Sequence, residues 1–193
     1  MRKMNALAFL TALLVVTILA AAEDKPLLFQ QPTLSKTEVV FAFGGDLWTV
    51  GRGGGEAVRL TTGMGTERDP FFSPDGSQVA FTGEYEGNTD VYVVSATGGV
   101  PRRLTYHPYE DAVVGWRPDG KRILFISQRL SMLPRLFTVS PQGGYPEELP
   151  LPSGFQASFS LEGTRLAYMP TVQWQKAWKR YRGGQTTPIW LVN

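Results

Sequence analysis

The sequence predicts an all-β protein assembled from four-stranded antiparallel units, and three observations carry that reading. The eleven-residue stretch FFSPDGSQVAF, Phe71 to Phe81, returns as GWRPDGKRILF from Gly115 to Phe125 and as SFSLEGTRLAY from Ser158 to Tyr168. The landmarks around these copies keep fixed distances. After residue 22, no stretch sustains a helical period over the ten or so residues that a helix needs.

The constancy extends to three places in each copy. Gly76, Gly120 and Gly163 each lie five residues before an aromatic, Phe81, Phe125 and Tyr168. Trp48, Tyr92 and Phe137 each lie six residues before the Gly-Gly pairs opening at Gly54, Gly98 and Gly143, and six more lead to Leu60, Leu104 and Leu149. Trp190 marks a fourth copy in PIWLV, beside DLWTV, DVYVV and RLFTV. A unit reads as four short strands; in the second copy these are Pro70–Ser73, Gln78–Thr82, Asp90–Ser95 and Pro101–Thr105, rich in Val, Phe, Tyr and Thr. SPDG is a type I turn, with Pro74 fixing φ at the second place and Gly76 closing it, and the Gly-Gly pairs supply the positive φ of a hairpin. Four-stranded units of about 40 to 45 residues are the sequence pattern of a β-propeller, whose blades cover one another's apolar faces. The blades fall at about 27–61, 69–105, 111–150 and 155–193, the last incomplete.

The first 22 residues read separately. Arg2 and Lys3 precede an apolar run from Ala6 to Leu19, and Ala20-Ala21-Ala22 precede Glu23 and Asp24, the layout of a secretory signal peptide cut after Ala22. The run is shorter than the ~20 residues of a spanning helix, so no membrane anchor is expected after cleavage. Removing residues 1–22 takes two of the 19 basic residues and none of the 17 acidic ones, which leaves the mature chain neutral and removes the case for nucleic acid. Cysteine is absent, which excludes disulfides and thiolate chemistry. The expected location is periplasmic or secreted.

In an antiparallel meander, alternate connections lie at the same end of the sheet. The fixed first and third turns therefore share one face of the ring, and the second connection shares the other with the blade-to-blade crossings. The distance across the second connection varies: 7, 11, 12 and 22 residues, from Phe41 to Trp48, Phe81 to Tyr92, Phe125 to Phe137 and Tyr168 to Trp190. Variable loops carry contact and binding, so this is the expected working face. The longest insertion, Thr171 to Thr187, interleaves Trp174, Trp178 and Tyr181 with Lys176, Lys179, Arg180 and Arg182. Its aromatics are expected to pack on the propeller, with the cations toward water, an acidic neighbour or a partner.

Chemical motifs are sparse. The single histidine, His107, sits in the crossing TYHPYED, and no G-x-S-x-G elbow exists, so no catalytic residue is assigned. GRGGGE, Gly51 to Glu56, aligns with the other Gly-Gly turns and lacks the Lys-Ser/Thr of a phosphate loop. Glu84, Glu86 and Asp90 lack the ligand order of a calcium loop, and one His without Cys leaves no zinc set. No metal or cofactor is assigned.

The segments FAFGGDLWTV, GWRPDGKRILF and RLFTVSPQGGYPEELPLP, together with WKRYRGG ahead of an IW strand, closely resemble the N-terminal propeller of bacterial tricorn-type serine peptidases. SPDG blades alone are shared with TolB-like proteins; WKRYRGG and PEELPLP are more specific. The resemblance implies a six-bladed ring that gates or channels peptides toward a serine-peptidase region, whose motifs have no counterpart in this chain. Expected partners are peptide or protein substrates, downstream domains of the same protein and further copies of the chain. The alternative is a TolB-like periplasmic propeller that acts as a protein-binding or scaffold module. Blade four stops at PIWLVN, without a Gly-Gly turn or outer strand, so a piece of a longer protein with apolar blade faces at both ends is expected.

Overall fold

A computed structural model of the chain describes residues 28–171 and 187–193. The signal-like segment 1–22 and the insertion side chains from Trp174 to Arg182 lie outside the described residues. The first sheet is β1 (Gln30–Leu34), β2 (Glu38–Phe43), β3 (Asp46–Gly51) and β4 (Val58–Arg59). The second is β5 (Thr66–Phe72), β6 (Gln78–Tyr85), β7 (Asn88–Ser95) and β8 (Arg102–Arg103). The third is β9 (Asp111–Trp116), β10 (Ile123–Ser127), β11 (Arg135–Val139) and β12 (Glu147–Glu148). The fourth holds three strands, β13 (Gln156–Phe159), β14 (Leu166–Met169) and β15 (Trp190–Val192). All pairings are antiparallel and sequential, one sheet per sequence unit.

Alternation along each strand sends successive side chains to opposite neighbours. In β6, Val79 and Phe81 join Val40, Ala42 and Leu47 of the first blade, whereas Ala80 points the other way. Ala80 packs with Val91 and Val93 against Val113, Ile123, Phe125 and Phe137 of the third blade. Val114, Leu124 and Leu136 then meet Leu166 and Tyr168 of the fourth. Both faces of the middle sheets are covered, which explains why VAF and ILF are unbroken apolar runs where a half-exposed strand would alternate. Complete burial of a side chain such as Phe81 or Phe125 contributes about 1.5–3 kcal/mol. Neighbouring sheets touch through their first strands, β1 on β5, β5 on β9 and β9 on β13, so the sheets fan from a common axis with the first strands innermost.

The repeated turn is held by its own side chains. Gly76 N–H donates to Ser73 O at 2.8 Å with Gly76 at φ 75°, and Gly120 and Gly163 repeat the bond at 3.0 and 2.8 Å. Ser73 Oγ donates to Asp75 Oδ1 at 2.6 Å and Ser77 N–H donates to the same oxygen at 3.1 Å. These bonds, the one from Ser73 foremost, hold the Asp75 carboxyl at about 2, below its ordinary 3.8.

Three sequence expectations are corrected in detail. The first strand of blade two begins at Thr66, four residues before the expected Pro70, because a bulge between Arg68 and Phe71 carries the chain past the proline without ending the pairing. The outer strand of that blade is Arg102–Arg103 alone, because Leu104 and Thr105 turn inward as core and cap. The four extra residues between Phe81 and Tyr92 do not enlarge a loop. They lengthen β6 and β7, which still meet in a two-residue turn, Glu86-Gly87, at φ 55° and 81°.

Phe81→Ala is expected to cost about 3–5 kcal/mol in urea unfolding, whereas Val100→Ala at an exposed turn stays within about 0.5 kcal/mol. Asp75 has a depressed pKa, so its contribution is present above the ordinary carboxylate range and is lost as pH falls from 3.8 through about 2. In Asp75→Asn, the acid limb of the stability profile should flatten over that window, read from thermal melts against pH.

Candidate functional site

The two faces of the fan are built differently. On the turn face, the first and third connections meet in a shallow groove of ≈ 330 Å³ that includes Ser35, Lys36, Arg52, Pro74 and Asp75. On the loop face, the second connections meet the crossings in a groove of ≈ 460 Å³ bounded by Gly44, Asp46, Met64, Thr66, Glu84 and Glu86. The predicted grouping of connections is what the sheets produce.

At the inner edge, one polar network crosses three blades. Gln31 Nε2 donates to Asp69 Oδ1 at 2.5 Å, and Asp69 N–H returns a bond to Gln31 Oε1 at 2.9 Å. Thr82 Oγ1 donates to Asp69 Oδ2 at 3.2 Å. Arg68 bridges Asp69 and, in the next blade, Glu110. Gln31 and Asp69 stand at matching bulges with φ 51° and 52°, each just before a proline. A left-handed backbone at a non-glycine residue costs of order 1 kcal/mol, and here the reciprocal side-chain and backbone bonds offset it.

A second set closes the blade junctions. Asp46 pairs with Arg59 at 3.2 Å in blade one and Asp90 with Arg103 at 2.5 Å in blade two. In blade three the same two positions hold Arg135 and Glu148, paired at 2.5 Å with the polarity reversed. Leu47 N–H donates to Thr61 Oγ1 and Val91 N–H to Thr105 Oγ1, each at 3.0 Å, so the threonine after the core leucine binds an amide of the third strand. Buried Glu67 adds an acceptor for Leu47 N–H at 3.0 Å and also accepts from the Thr61 and Tyr85 hydroxyls. Burial, reinforced by Glu67, pushes the Tyr85 hydroxyl above the ordinary tyrosine range. Asp111 occupies the matching place in blade three, one methylene shorter. Its Oδ2 pairs with Arg129 at 2.5 Å, and its buried Oδ1 has no partner among the described residues. Burial raises the Asp90 carboxyl against the opposing pull of Arg103.

The sequence-selected residues separate in space. His107 lies in the crossing, its ring stacked on Tyr109 at 5.6 Å and its Nδ1 accepting from Tyr109 N–H at 3.2 Å. Glu84 and Glu86 are exposed at the β6–β7 hairpin, whereas Asp90 is wholly buried among Asn88, Arg103 and Thr105, so the three carboxylates form no common cage. Gly51 to Glu56 forms a hairpin turn on the turn face, Gly54 N–H donating to Gly51 O at 2.9 Å. Gln31, Arg68, Asp69 and Glu110 were not selected from the sequence. The repeated X-Pro of QQP and RDP, placed a few residues before a first turn, was the available signal.

Asp90→Ala should cost about 3 kcal/mol, because it strips a buried partner from Arg103, Asn88 and Thr105. Glu148→Arg should lose about 1 kcal/mol by setting two cations side by side, and the double change Arg135→Asp with Glu148→Arg should restore most of it. Urea midpoints of the two single variants and the pair check this.

Comparison with known proteins agrees with this architecture. The family described as the tricorn protease N-terminal β-propeller domain matches residues 26–193. A tricorn protease homologue of Streptomyces coelicolor is 34% identical over 174 residues, covering 83% of this chain and 15% of its own length. The chain thus spans about a seventh of that relative. Among solved structures, the tricorn protease superposes with a TM-score of 0.73 at 24% identity over 88% of this chain and 18% of that one. TolB from Acinetobacter baumannii gives 0.63 at 19% identity over 77% and 39%. At those identities, the structural likenesses speak for the fold alone. Four antiparallel sheets fanned in sequence order, and the family match over nearly all the residues after the signal-like segment, lead to one conclusion: the chain belongs to the tricorn protease N-terminal β-propeller family.

Proposed function

We propose that this chain is the peptide-handling propeller of an exported tricorn-like serine peptidase, guiding polypeptide toward a catalytic region that lies outside these residues. The signal-like segment, with cleavage after Ala22, directs it to the periplasm or the exterior. The observation that carries the reading is the polar inner edge. Gln31, Asp69, Arg68 and Glu110 satisfy one another across three blades, while the large apolar side chains are drawn into the junctions. A passage lined this way offers hydrogen bonds to a moving backbone without a greasy surface to trap its side chains. Filtering at the axis of a closed ring, six-bladed in this reading, would admit extended chains and turn away folded ones.

The test uses residues 23–193 and a reporter protein in two forms, reduced and carboxymethylated or native. The chain should show no peptidase activity on either form, and should bind the unfolded form at least about tenfold more tightly, a difference of about 1.4 kcal/mol. Arg68→Ala should weaken that preference. Equal binding of both forms, or preference for the native one, would reject peptide handling and favour a scaffold that recruits folded partners.

A further inference from the structure

The loop face carries a feature that channel lining does not require. Met64 stands wholly exposed between two glycines in the crossing from blade one to blade two. Its frame is tightly held. A Cβ on Gly63 would lie 2.6 Å from Tyr85 Cε1, and one on Gly65 would lie 2.3 Å from Glu84 O and 2.6 Å from Tyr85 Cδ1. Tyr85 in turn donates its hydroxyl to Glu67, which is buried and also holds Leu47 N–H at 3.0 Å. The backbone on both sides of Met64 is thus clamped to the junction, and the thioether is presented to solvent from a fixed base. Methionine is polarisable and unbranched, so it adapts to differing apolar partners; held outward, it is placed for contact.

Charge on the same groove is one-sided. Glu84 and Glu86 are exposed and make no ion pair among the described residues, whereas Asp46, which also lines the groove, is paired with Arg59. No arginine or lysine lines the groove among the described residues, and Arg59, Arg68 and Arg103 of the first two blades are each already paired with a carboxylate. The groove therefore complements a cation and repels an anion.

We infer that this groove docks an extended peptide segment bearing lysine or arginine next to an apolar side chain. The apolar group rests on Met64 and the cation lies between Glu84 and Glu86. The inference rests on the peptide-handling reading and deepens it, from handling any unfolded chain to favouring cationic ones at this entry. The ≈ 460 Å³ of the groove suits a few side chains, not a folded surface.

The experiment titrates residues 23–193 into a fluorescein-labelled peptide alternating lysine with leucine, and into the same peptide with glutamate in place of lysine, followed by anisotropy. The lysine peptide should bind at least about tenfold more tightly, and the difference should shrink in 1 M salt, where the screening length is only about 3 Å. Glu84→Gln with Glu86→Gln should erase the preference. Met64→Ser should weaken binding of the lysine peptide several-fold and leave thermal melting unchanged, because the side chain touches solvent only. Equal binding of the two peptides, or a preference untouched by the glutamine pair, overturns the cationic selectivity while peptide handling stands. If neither peptide binds and the carboxymethylated reporter does not bind either, both readings fall.

Discussion

Each sheet here has two apolar faces and no means of covering them alone. That constraint governs everything else in the molecule. A blade becomes stable by lending one face to each neighbour, so Val79 and Phe81 serve one junction while Ala80 and Val93 serve the next. Strict alternation along the strands makes the arrangement possible, because moving one residue along the register would exchange the two sets and leave both junctions misfilled. The fanned geometry follows: the first strands crowd together and the outer strands, two residues long in three blades, spread apart.

The junctions carry more than packing. Glu67 reaches across to the preceding blade's third strand and accepts from Leu47 N–H, and Thr61 and Thr105 accept from Leu47 and Val91 N–H within their own blades. Polar groups closed off in this way must be paired, since an orphaned buried donor or acceptor costs ~1–3 kcal/mol. The reversal of the ion pair in blade three shows which property is maintained between those two positions. What persists is opposite charge across the third and fourth strands; which position is acidic changes between blades. Asp111 marks the other limit. Shortened by one methylene relative to Glu67, it pairs with Arg129 instead of with an amide and hydroxyls, and leaves one buried oxygen without a partner among the described residues.

The same scaffold gives the two faces different characters. Turns fixed by Ser, Asp and Gly repeat on one face with little room to vary. On the other, hairpins and crossings are free to differ, and there the chain sets out Met64, Glu84 and Glu86. Function can change on such a face without disturbing the stack, because none of these three side chains takes part in covering a blade.

By itself the sequence determined the class of fold, the four blade units of this chain, their order and the turns within them. These follow from local rules, period-two alternation and the conformational demands of Gly and Pro, repeated often enough to be read. It also determined how the connections divide between the two faces, since that depends only on antiparallel order. Tertiary structure decided which carboxylates are buried and which are free. Asp90 and Glu86 are four residues apart and look alike in the sequence, yet one is enclosed with Arg103 and the other faces water. It decided, too, that the added residues of blade two lengthen strands, and that Gln31, Asp69, Arg68 and Glu110 meet at the inner edge. The inner-edge contacts join residues about forty positions apart, set by how one sheet lies against the next, and Asp90 meets Arg103 thirteen positions away across its own sheet; no local pattern encodes either contact.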